Sequence, residues 1–543
     1  MPASVPPVPA SPASASPVPA SPVPASPVSV LVVGSGPTGL TLACDLARRS
    51  VDVRIIDRSP GFPRSSRAKG PNPRSLEVLA DLGVADRVLA AGSAPLPMRK
   101  YRDGVPVADA DPAASLRPTP DAPYAHGHLI AQWRLEEILR ERLAEFGVRV
   151  ELGAEAVGLS EADGLVTVAL ADGRSIGARY VVGCDGAHSR VRKLIGVPFE
   201  GTTTPEQAMV CGDVEVEGLD RGIWHQWFDE DGAVMLCPIP GTRAGWWFQA
   251  GPERDAAGAP VPPSLESFRR LFAKHARLPA GRLTGATLLS SYRVNERLAG
   301  RYRVGRVLLA GDAAHVHSIA GGLGMNTGIQ DAFNLGWKLA LVADGGADPR
   351  LLDTYEEERL PVAARTLDLT AERLRATLEA IRRPGGGLDT AITGETAGLG
   401  VGYPWSSLAG AGSTPRLRSG DRAPDAPCRD TATGRPVRLF DAFAGPHFTL
   451  LGFGPGTADA LRAAEAAYGP VVRAYGVDAG AVRDLTDDAD HARTVYGIPP
   501  APASPGTLVL IRPDNHVALI APADAAHEVT AYLDGLTGAP APR

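Results

Sequence analysis

Ser29 to Val33 is a run of aliphatic, mostly β-branched residues that stops at Gly34-Ser-Gly-Pro-Thr-Gly39, after which Leu40, Leu42, Ala43, Leu46 and Ala47 recur at helical spacing. The pattern predicts strand, glycine loop, helix. A second strand is predicted from Val51 to Ile56, with Asp57 at its end. Far along the chain, Arg306 to Ala310 reads as a buried strand ended by Gly311 and Asp312. The cluster Gly321 to Gly328 then leads into a helix with Ile329, Ala332, Phe333, Leu335, Gly336, Leu339 and Ala340 on its apolar side. Between these regions the pattern changes to short alternating runs, Val214 to Val216, Trp224 to Phe228, Ala233 to Cys237 and Gly245 to Phe248, which predict a β-sheet platform. Leu351 to Ile381 is helical in period, and Arg383 to Gly387 closes it before a Gly-, Thr- and Ser-rich crossing to Pro424. Phe448 to Gly452 as strand, Thr457 to Tyr468 as helix, and Thr507 to Ile511 with His516 to Ile520 as a hairpin complete a small α/β unit.

These elements predict an α/β chain, α+β overall, in three units. A Rossmann-like nucleotide-binding domain is assembled from 29–97, 125–198 and 298–385, and a β-sheet substrate domain from 98–124 and 199–297 is inserted in it. A linker over 386–423 leads to a C-terminal domain over 424–543. Residues 1–28 are almost wholly Pro, Ala, Ser and Val, with PVPASP recurring, and predict a disordered leader with neither the basic nor the apolar region of a secretory signal. Val30 to Leu46 is broken by three glycines and Asp45 and is too short to span a bilayer, so no membrane association is expected.

Composition narrows the function. With 44% hydrophobic and 21% charged residues the 543-residue chain is globular rather than disordered. Fifty-five basic against 61 acidic side chains, with no Lys-rich run, leave no electrostatic footprint for nucleic acid. The five cysteines, at 44, 184, 211, 237 and 428, are scattered without a C-x-x-C pair, which points to a reducing cytoplasm and to neither a disulfide framework nor a zinc site. Asp312, His315 and His317 match no common zinc spacing, and no metal is expected.

The chemistry is carried by the glycine clusters. Gly34 permits a tight turn, Gly36 lets backbone approach a pyrophosphate, and Gly39 lets helix pack on strand, while the helix start at Pro37 and Thr38 offers free N–H groups. Asp57, about 20 residues on, is placed to accept both hydroxyls of a ribose. The helix start after Gly324 is a second anion-friendly end. Two such ends with the Asp312 carboxylate between them suit a long ligand with a pyrophosphate at one end and a ring that gains negative charge at the other, as reduced flavin does. A simple NAD-dependent dehydrogenase would leave the Gly311-Asp312 cluster unexplained. A flavin-binding scaffold without catalysis is the other rival.

Gly34 to Gly39, the segment Cys184-Asp185-Gly186-Ala187-His188-Ser189-Arg190, and Gly311-Asp312-Ala313-Ala314-His315 followed by Gly324 to Ala332 together resemble the three fingerprints of the class A FAD-dependent aromatic hydroxylases. These have the para-hydroxybenzoate hydroxylase fold, and the nearest flavour is the bacterial polyketide and antibiotic hydroxylases. The match runs in order from about residue 29 to 385. The resemblance implies that Asp57, followed by Arg58, holds the adenosine ribose and that Arg67 and Gln132 contact the FAD diphosphate. It implies that Asp312 binds the ribityl chain and that Leu323, Gly324, Met325 and Asn326 lie along the isoalloxazine ring. Asp185 belongs to a motif that supports FAD and NAD(P)H, and Arg67, Arg190 and Arg192 are candidates for the nicotinamide route. Asp57 stands where the family usually has Glu, and Ile319 lies where it commonly has Pro beside the flavin. The C-terminal unit resembles the thioredoxin-like tail of these hydroxylases but has no Cys near Gly452 to Gly456, which leaves packing or homo-oligomer contact as its role.

The implied activity is a cytoplasmic monooxygenase in which NAD(P)H reduces FAD and one oxygen atom of dioxygen passes to an electron-rich phenolic or polyketide-type ring. A Baeyer–Villiger or epoxidising oxygenase on the same fold, an antibiotic-modifying enzyme and a catabolic phenol hydroxylase are the alternatives. No catalytic side chain is nameable, because the cofactor supplies the chemistry and the protein supplies orientation and a dry pocket. In the sheet platform, where alternate side chains face one way, Trp224, Gln226 and Trp246 are the candidates to face a planar substrate, and Ile319 is a further candidate for the substrate pocket.

Overall fold

The strand Val28–Val33 lies at the centre of a predominantly parallel sheet. It pairs in parallel with Val53–Ile56 on one side and with Ser175–Gly183 on the other, Val32 standing beside both Ile55 and Val182. Val30, Leu31 and Val32 are fully buried, so the run is continuous rather than alternating, as a strand covered on both faces must be. The strand starts one residue earlier than the sequence pattern indicates, because Val28 still pairs with Ala178. Val307–Leu309 extends the sheet beyond Ser175–Gly183, and Val150–Glu151 closes the other edge. The computed structural model describes residues 26–537 apart from 67, 382–385, 388, 390–392, 470 and 500–505. The expected leader therefore lies almost wholly outside the described residues.

A second eight-stranded sheet is built on two long strands, Phe199–Val216 and Leu283–Ala299, which pair antiparallel over most of their length. Gly245–Ala250, Gly232–Pro238 and Trp224–Asp229 follow in order, and the hairpin Met98–Arg102 with Val105–Ala110 completes the far edge. The alternating runs show the short strands but not that Phe199–Val216 is a single strand of 18 residues, since its middle carries polar Thr, Glu and Gln. One face is covered by the helix Leu265–Ala276, in a region where the alternating runs predict only sheet. Its capping box of Ser264 and Ser267, and its Leu265, Phe268, Leu271 and Phe272 at helical spacing, were the available signal.

A third, seven-stranded sheet forms the C-terminal unit, with Phe448–Phe453 parallel to Val472–Val477 and antiparallel to Thr507–Ile511. It packs directly on the first unit, Phe448 meeting Trp337 edge to face at 5.5 Å between ring centres. The crossing segment is moored rather than free. Trp405 Nε1 donates to the Glu357 carbonyl, and Ser406 Oγ donates to the Glu358 carboxylate at 2.6 Å.

Candidate cofactor and substrate site

Gly36 precedes the first turn of the helix Pro37–Arg48 in extended conformation, with Pro37 at the position where a missing N–H costs nothing. A methyl group placed on Gly36 meets nothing within 4 Å, so the N–H groups of the helix start face open space. The neighbouring glycines are confined. A methyl on Gly34 (φ +106°) falls 2.4 Å from the Cys184 carbonyl oxygen, and one on Gly39 falls 2.0 Å from that of Gly34. The loop is thus closed on the protein side and open on the ligand side, the arrangement a pyrophosphate needs.

Asp57 clamps this loop. Its Oδ2 accepts from both the N–H and the hydroxyl of Ser35 at 2.8 Å, and its Oδ1 from the Ser59 N–H at 2.8 Å. Burial pushes the carboxyl up, but those donors outweigh it and hold the group below the usual carboxylate range. Arg58 beyond it is exposed. Gln132 begins the helix Gln132–Glu145, its Oε1 accepting the Ala68 N–H at 3.1 Å and its backbone N–H donating to Ser66 at 2.9 Å. It therefore holds the loop that carries Arg67, a residue outside the described ones.

The second motif builds a turn. Asp185 accepts from the Ser189 hydroxyl at 2.5 Å and from the N–H groups of Arg190 and Val191 at 2.6 and 3.1 Å, which caps the short helix Arg190–Leu194. Arg190 is exposed, whereas Arg192 is 4% exposed and donates to the carbonyls of Ala187 and Ala313. Arg192 therefore ties the second motif to the third and is withdrawn from the nicotinamide route: both ends of its fork are already spent inside the protein.

In the third motif Gly311 (φ +61°) starts a short turn that leaves Asp312 exposed. Buried Asp331 organises that turn, accepting from the Gly311 N–H at 3.1 Å, from His315 at 2.6 Å and from Arg359 at 2.7 Å. His315 is thus a supporting residue, and among the described residues no cluster could hold a metal ion. The helix Gly324–Ala343 begins just beyond Gly322, beside which a methyl group again meets nothing within 4 Å. Leu323 is 7% exposed. Asn326 accepts the Asn72 N–H at 2.8 Å and donates to the Gly322 carbonyl at 2.8 Å. Met325 packs partly buried against the main core, and Ile319 stands exposed on the turn before the glycines. Two open helix starts, a clamped carboxylate and an exposed Asp312 fit a ligand of the shape of FAD.

The second sheet turns one face to this region. Trp224 and Gln226 lie on it with Trp247, Gln249, Asp213 and Lys100, as the registers of Trp247 with Asp213 and of Gln226 with Lys100 require. Trp246 does not. It is fully buried in the core on the opposite face, beneath the helix Leu265–Ala276, with Nε1 donating to the Val216 carbonyl at 3.0 Å, and is removed from the substrate candidates. Consecutive residues of a strand face opposite ways, so choosing Trp246 excluded Trp247. Lys69 reaches across from the Gln132-held loop to Gln249 Oε1 at 2.9 Å, and the Ser66 N–H reaches Asp213 Oδ2 at 2.7 Å. Neither Lys69 nor Asp213 stood out in the sequence. The available signal was rarity: the chain has five lysines among 55 basic residues, and Lys69, Lys100 and Lys338 all point inward to polar partners. His225, by contrast, is a sheet residue bonded to Tyr101 and to the Asp220 carbonyl.

A family profile described as FAD binding domain matches residues 27–370, and one described as aromatic-ring hydroxylase, C-terminal, matches 416–540. The chain belongs to the FAD-dependent aromatic-ring hydroxylases. A flavin-dependent monooxygenase of Mycobacteroides abscessus is 37% identical over 93% of this chain and 99% of its own. The 6-methylpretetramide 4-monooxygenase of Streptomyces rimosus is 35% identical over 93% of each. The crystal structure of aklavinone-11 hydroxylase with FAD and aklavinone superposes with a TM-score of 0.80 over 93% of this chain and 98% of that one, at 29% identity. This monooxygenase therefore binds FAD, and it matches these relatives over most of its length. Among its described residues no helix is long and apolar enough to cross a membrane.

Proposed function

We propose that this monooxygenase uses NAD(P)H and dioxygen, in the cytoplasm, to hydroxylate a phenolic ring of a polyketide-type substrate. The observation that carries the reading is the loop Ser66 to Gly70. It touches the substrate-facing sheet through Ser66 and Lys69, and its Gly70 carbonyl lies 3.5 Å from the Asn326 amide at the start of the second glycine helix. A ring laid along Leu323 to Asn326 would share this loop with a planar substrate laid on Trp224 and Gln226. In this reading Gly34, Gly36, Pro37, Thr38 and Gly39 hold the pyrophosphate and Asp57 the adenosine ribose. Gln132 positions the Arg67 loop, Gly311 and Asp312 meet the ribityl chain, and Asp185 keeps the connecting turn in shape. FAD supplies the oxygen-transfer chemistry. The protein orients the ring and keeps water out.

The names of the relatives support a fused-ring aromatic substrate, and the aromatic face of the sheet agrees with them. The test is NADPH consumption by the purified flavoprotein with phenols, naphthols and hydroxyanthraquinones, coupled to mass spectrometry of the product. Gain of one oxygen atom on a ring carbon is expected. Ring expansion to a lactone would favour the Baeyer–Villiger alternative, and flavin-bearing protein whose NADPH consumption no aromatic compound stimulates would overturn the reading.

A further inference from the structure

The face of the second sheet that meets the cofactor region is ordered in rows across its strands. One row runs from Asp213 to Trp247, Cys237 and Trp224, and the next from Cys211 to Gln249, Met235, Gln226 and Lys100. Lys69 lies over both, its ammonium bonded to Gln249 and 5.6 Å from the centre of the Trp224 ring. Asp213 is 4% exposed, and its two oxygens differ. Oδ2 accepts the Ser66 N–H at 2.7 Å, while Oδ1 is buried and has no hydrogen-bond partner among the described residues. A buried carboxylate oxygen left without a donor is costly, by an amount comparable to a lost hydrogen bond. Lys69 does not relieve it, since its ammonium donates to neutral Gln249 and forms no ion pair with Asp213.

We propose that Oδ1 of Asp213 is the acceptor for a phenolic O–H of the substrate and takes its proton as the ring is hydroxylated. The inference rests on the monooxygenase reading and names the substrate class within it: aromatic rings with a free hydroxyl at the edge nearest Asp213. In the step, the phenol O–H bond breaks, an Oδ1–H bond forms, and the electron pair left on oxygen enters the ring, raising electron density at the carbons ortho and para to it. The ring carbon then gains one oxygen atom of dioxygen as the O–O bond breaks, the other atom leaving as water with the two electrons that NAD(P)H supplies; when the ring rearomatises, the proton of the hydroxylated carbon is lost and the proton on Asp213 returns to the phenol oxygen. The Ser66 N–H positions the acceptor, and Lys69 favours the anionic oxygen through space.

The carboxyl is poised for such an exchange. Burial pushes it up to about 6, against the opposing pull of the Ser66 N–H and of Lys69. The other titratable groups on this face, besides Lys69, are Cys211 and Glu215 of the same strand, Lys100, which pairs with Asp389 at 2.7 Å, Tyr292, whose hydroxyl donates to the His317 carbonyl, and Cys237, whose thiol burial pushes up to about 12 and keeps neutral.

The test uses the full-length holoenzyme with 1-naphthol, 1,8-dihydroxyanthraquinone and their methyl ethers. The wild type is expected to oxidise NADPH with the hydroxy compounds and to discriminate against the ethers, with kcat/KM rising through a step near pH 6. In Asp213→Asn, which keeps an oxygen for Ser66, kcat/KM for the hydroxy compounds should fall roughly a hundredfold at pH 7. The step should vanish in favour of a rise that follows the ionisation of the phenol itself, so that more acidic phenols are rescued first. Equal use of phenols and methyl ethers by the wild type overturns the proposal whether or not the variant folds, as does a variant with the wild-type pH profile. Failure of the monooxygenase reading looks different: none of the aromatic compounds would stimulate the wild-type flavoprotein.

Discussion

Thr38 touches both glycine clusters. A methyl group on Gly311 would fall 2.5 Å from its hydroxyl and one on Gly328 would fall 2.3 Å from it, so a side chain of the first motif fills the space left by two glycines of the third. Gly328→Ala is expected to push the two helices apart and to cost about 1–3 kcal/mol, the usual penalty of overpacking. Adding Thr38→Ala should recover part of the loss. Thermal melting of the single and double variants checks this, and a double variant no better than Gly328→Ala alone would show that the strain lies elsewhere. Asp57→Ala removes the acceptor for the two Ser35 donors of the glycine loop and for the Ser59 N–H, as well as the proposed ribose contact, and should weaken FAD retention by roughly 1–3 kcal/mol. Asp57→Asn should lose less. Flavin titration of apoprotein decides, and unchanged affinity in the alanine variant would separate Asp57 from the ribose.

At the scale of elements, what could be read from the chain depended on periodicity. The strand, loop and helix around Gly34 to Gly39 and the helix after Gly324 were legible because glycine positions and apolar period agree over short distances. The face of each strand in the second sheet was not. Whether Trp246 or Trp247 faces the ligand depends on the register through two successive hairpins, and a slip of one residue reverses every side chain. Asp213 and Lys69 escaped notice for a related reason: their partners, Ser66 and Gln249, lie 147 and 180 residues away and are reached only once the loop after Asp57 is laid on the sheet. The corrected parity gives a prediction. Trp246→Ala, which empties a site under the helix Leu265–Ala276, should cost roughly 3–5 kcal/mol of stability. It should leave the absorption spectrum of bound flavin unchanged, because the indole lies on the side of the sheet away from it. A perturbed flavin spectrum in well-folded variant protein would contradict that placement.

Across the whole molecule, the C-terminal unit is joined to the rest by charge as well as by apolar packing. Arg512, at the tip of the hairpin between Thr507–Ile511 and Val517–Pro522, reaches Glu358 at 2.6 and 2.9 Å and Asp514 at 2.5 Å. Lys338 meets the same Glu358 at 2.7 Å, and Asn334 bridges Glu358 and Asp514. All four charged side chains are at most 1% exposed. Burial pulls the Lys338 ammonium down to about 8 in spite of Glu358. Removing one member of such a set leaves the others buried and uncompensated, and Arg512→Ala should cost about 3–5 kcal/mol. Because the network crosses between units, the expected result by calorimetry is one lowered transition for the whole chain. A low-temperature transition of the tail alone, with the flavin still bound, would show that the tail folds independently.

The same network bears on how such proteins can be recombined. Glu358 and Lys338 belong to helices of the flavin unit and pair with each other, Arg512 and Asp514 belong to the tail and do the same, and what each half lacks by itself is the buried contact of Arg512 with Glu358 across the seam. A tail transplanted from a relative would therefore be accepted only if it brought a guanidinium and a carboxylate to those two positions, or if Glu358 and Lys338 were exchanged with it for apolar residues of similar volume. The boundary between residues 370 and 416, where one family profile ends and the other begins, is a seam in sequence only, and the unit of inheritance at this interface is the four-residue charge set.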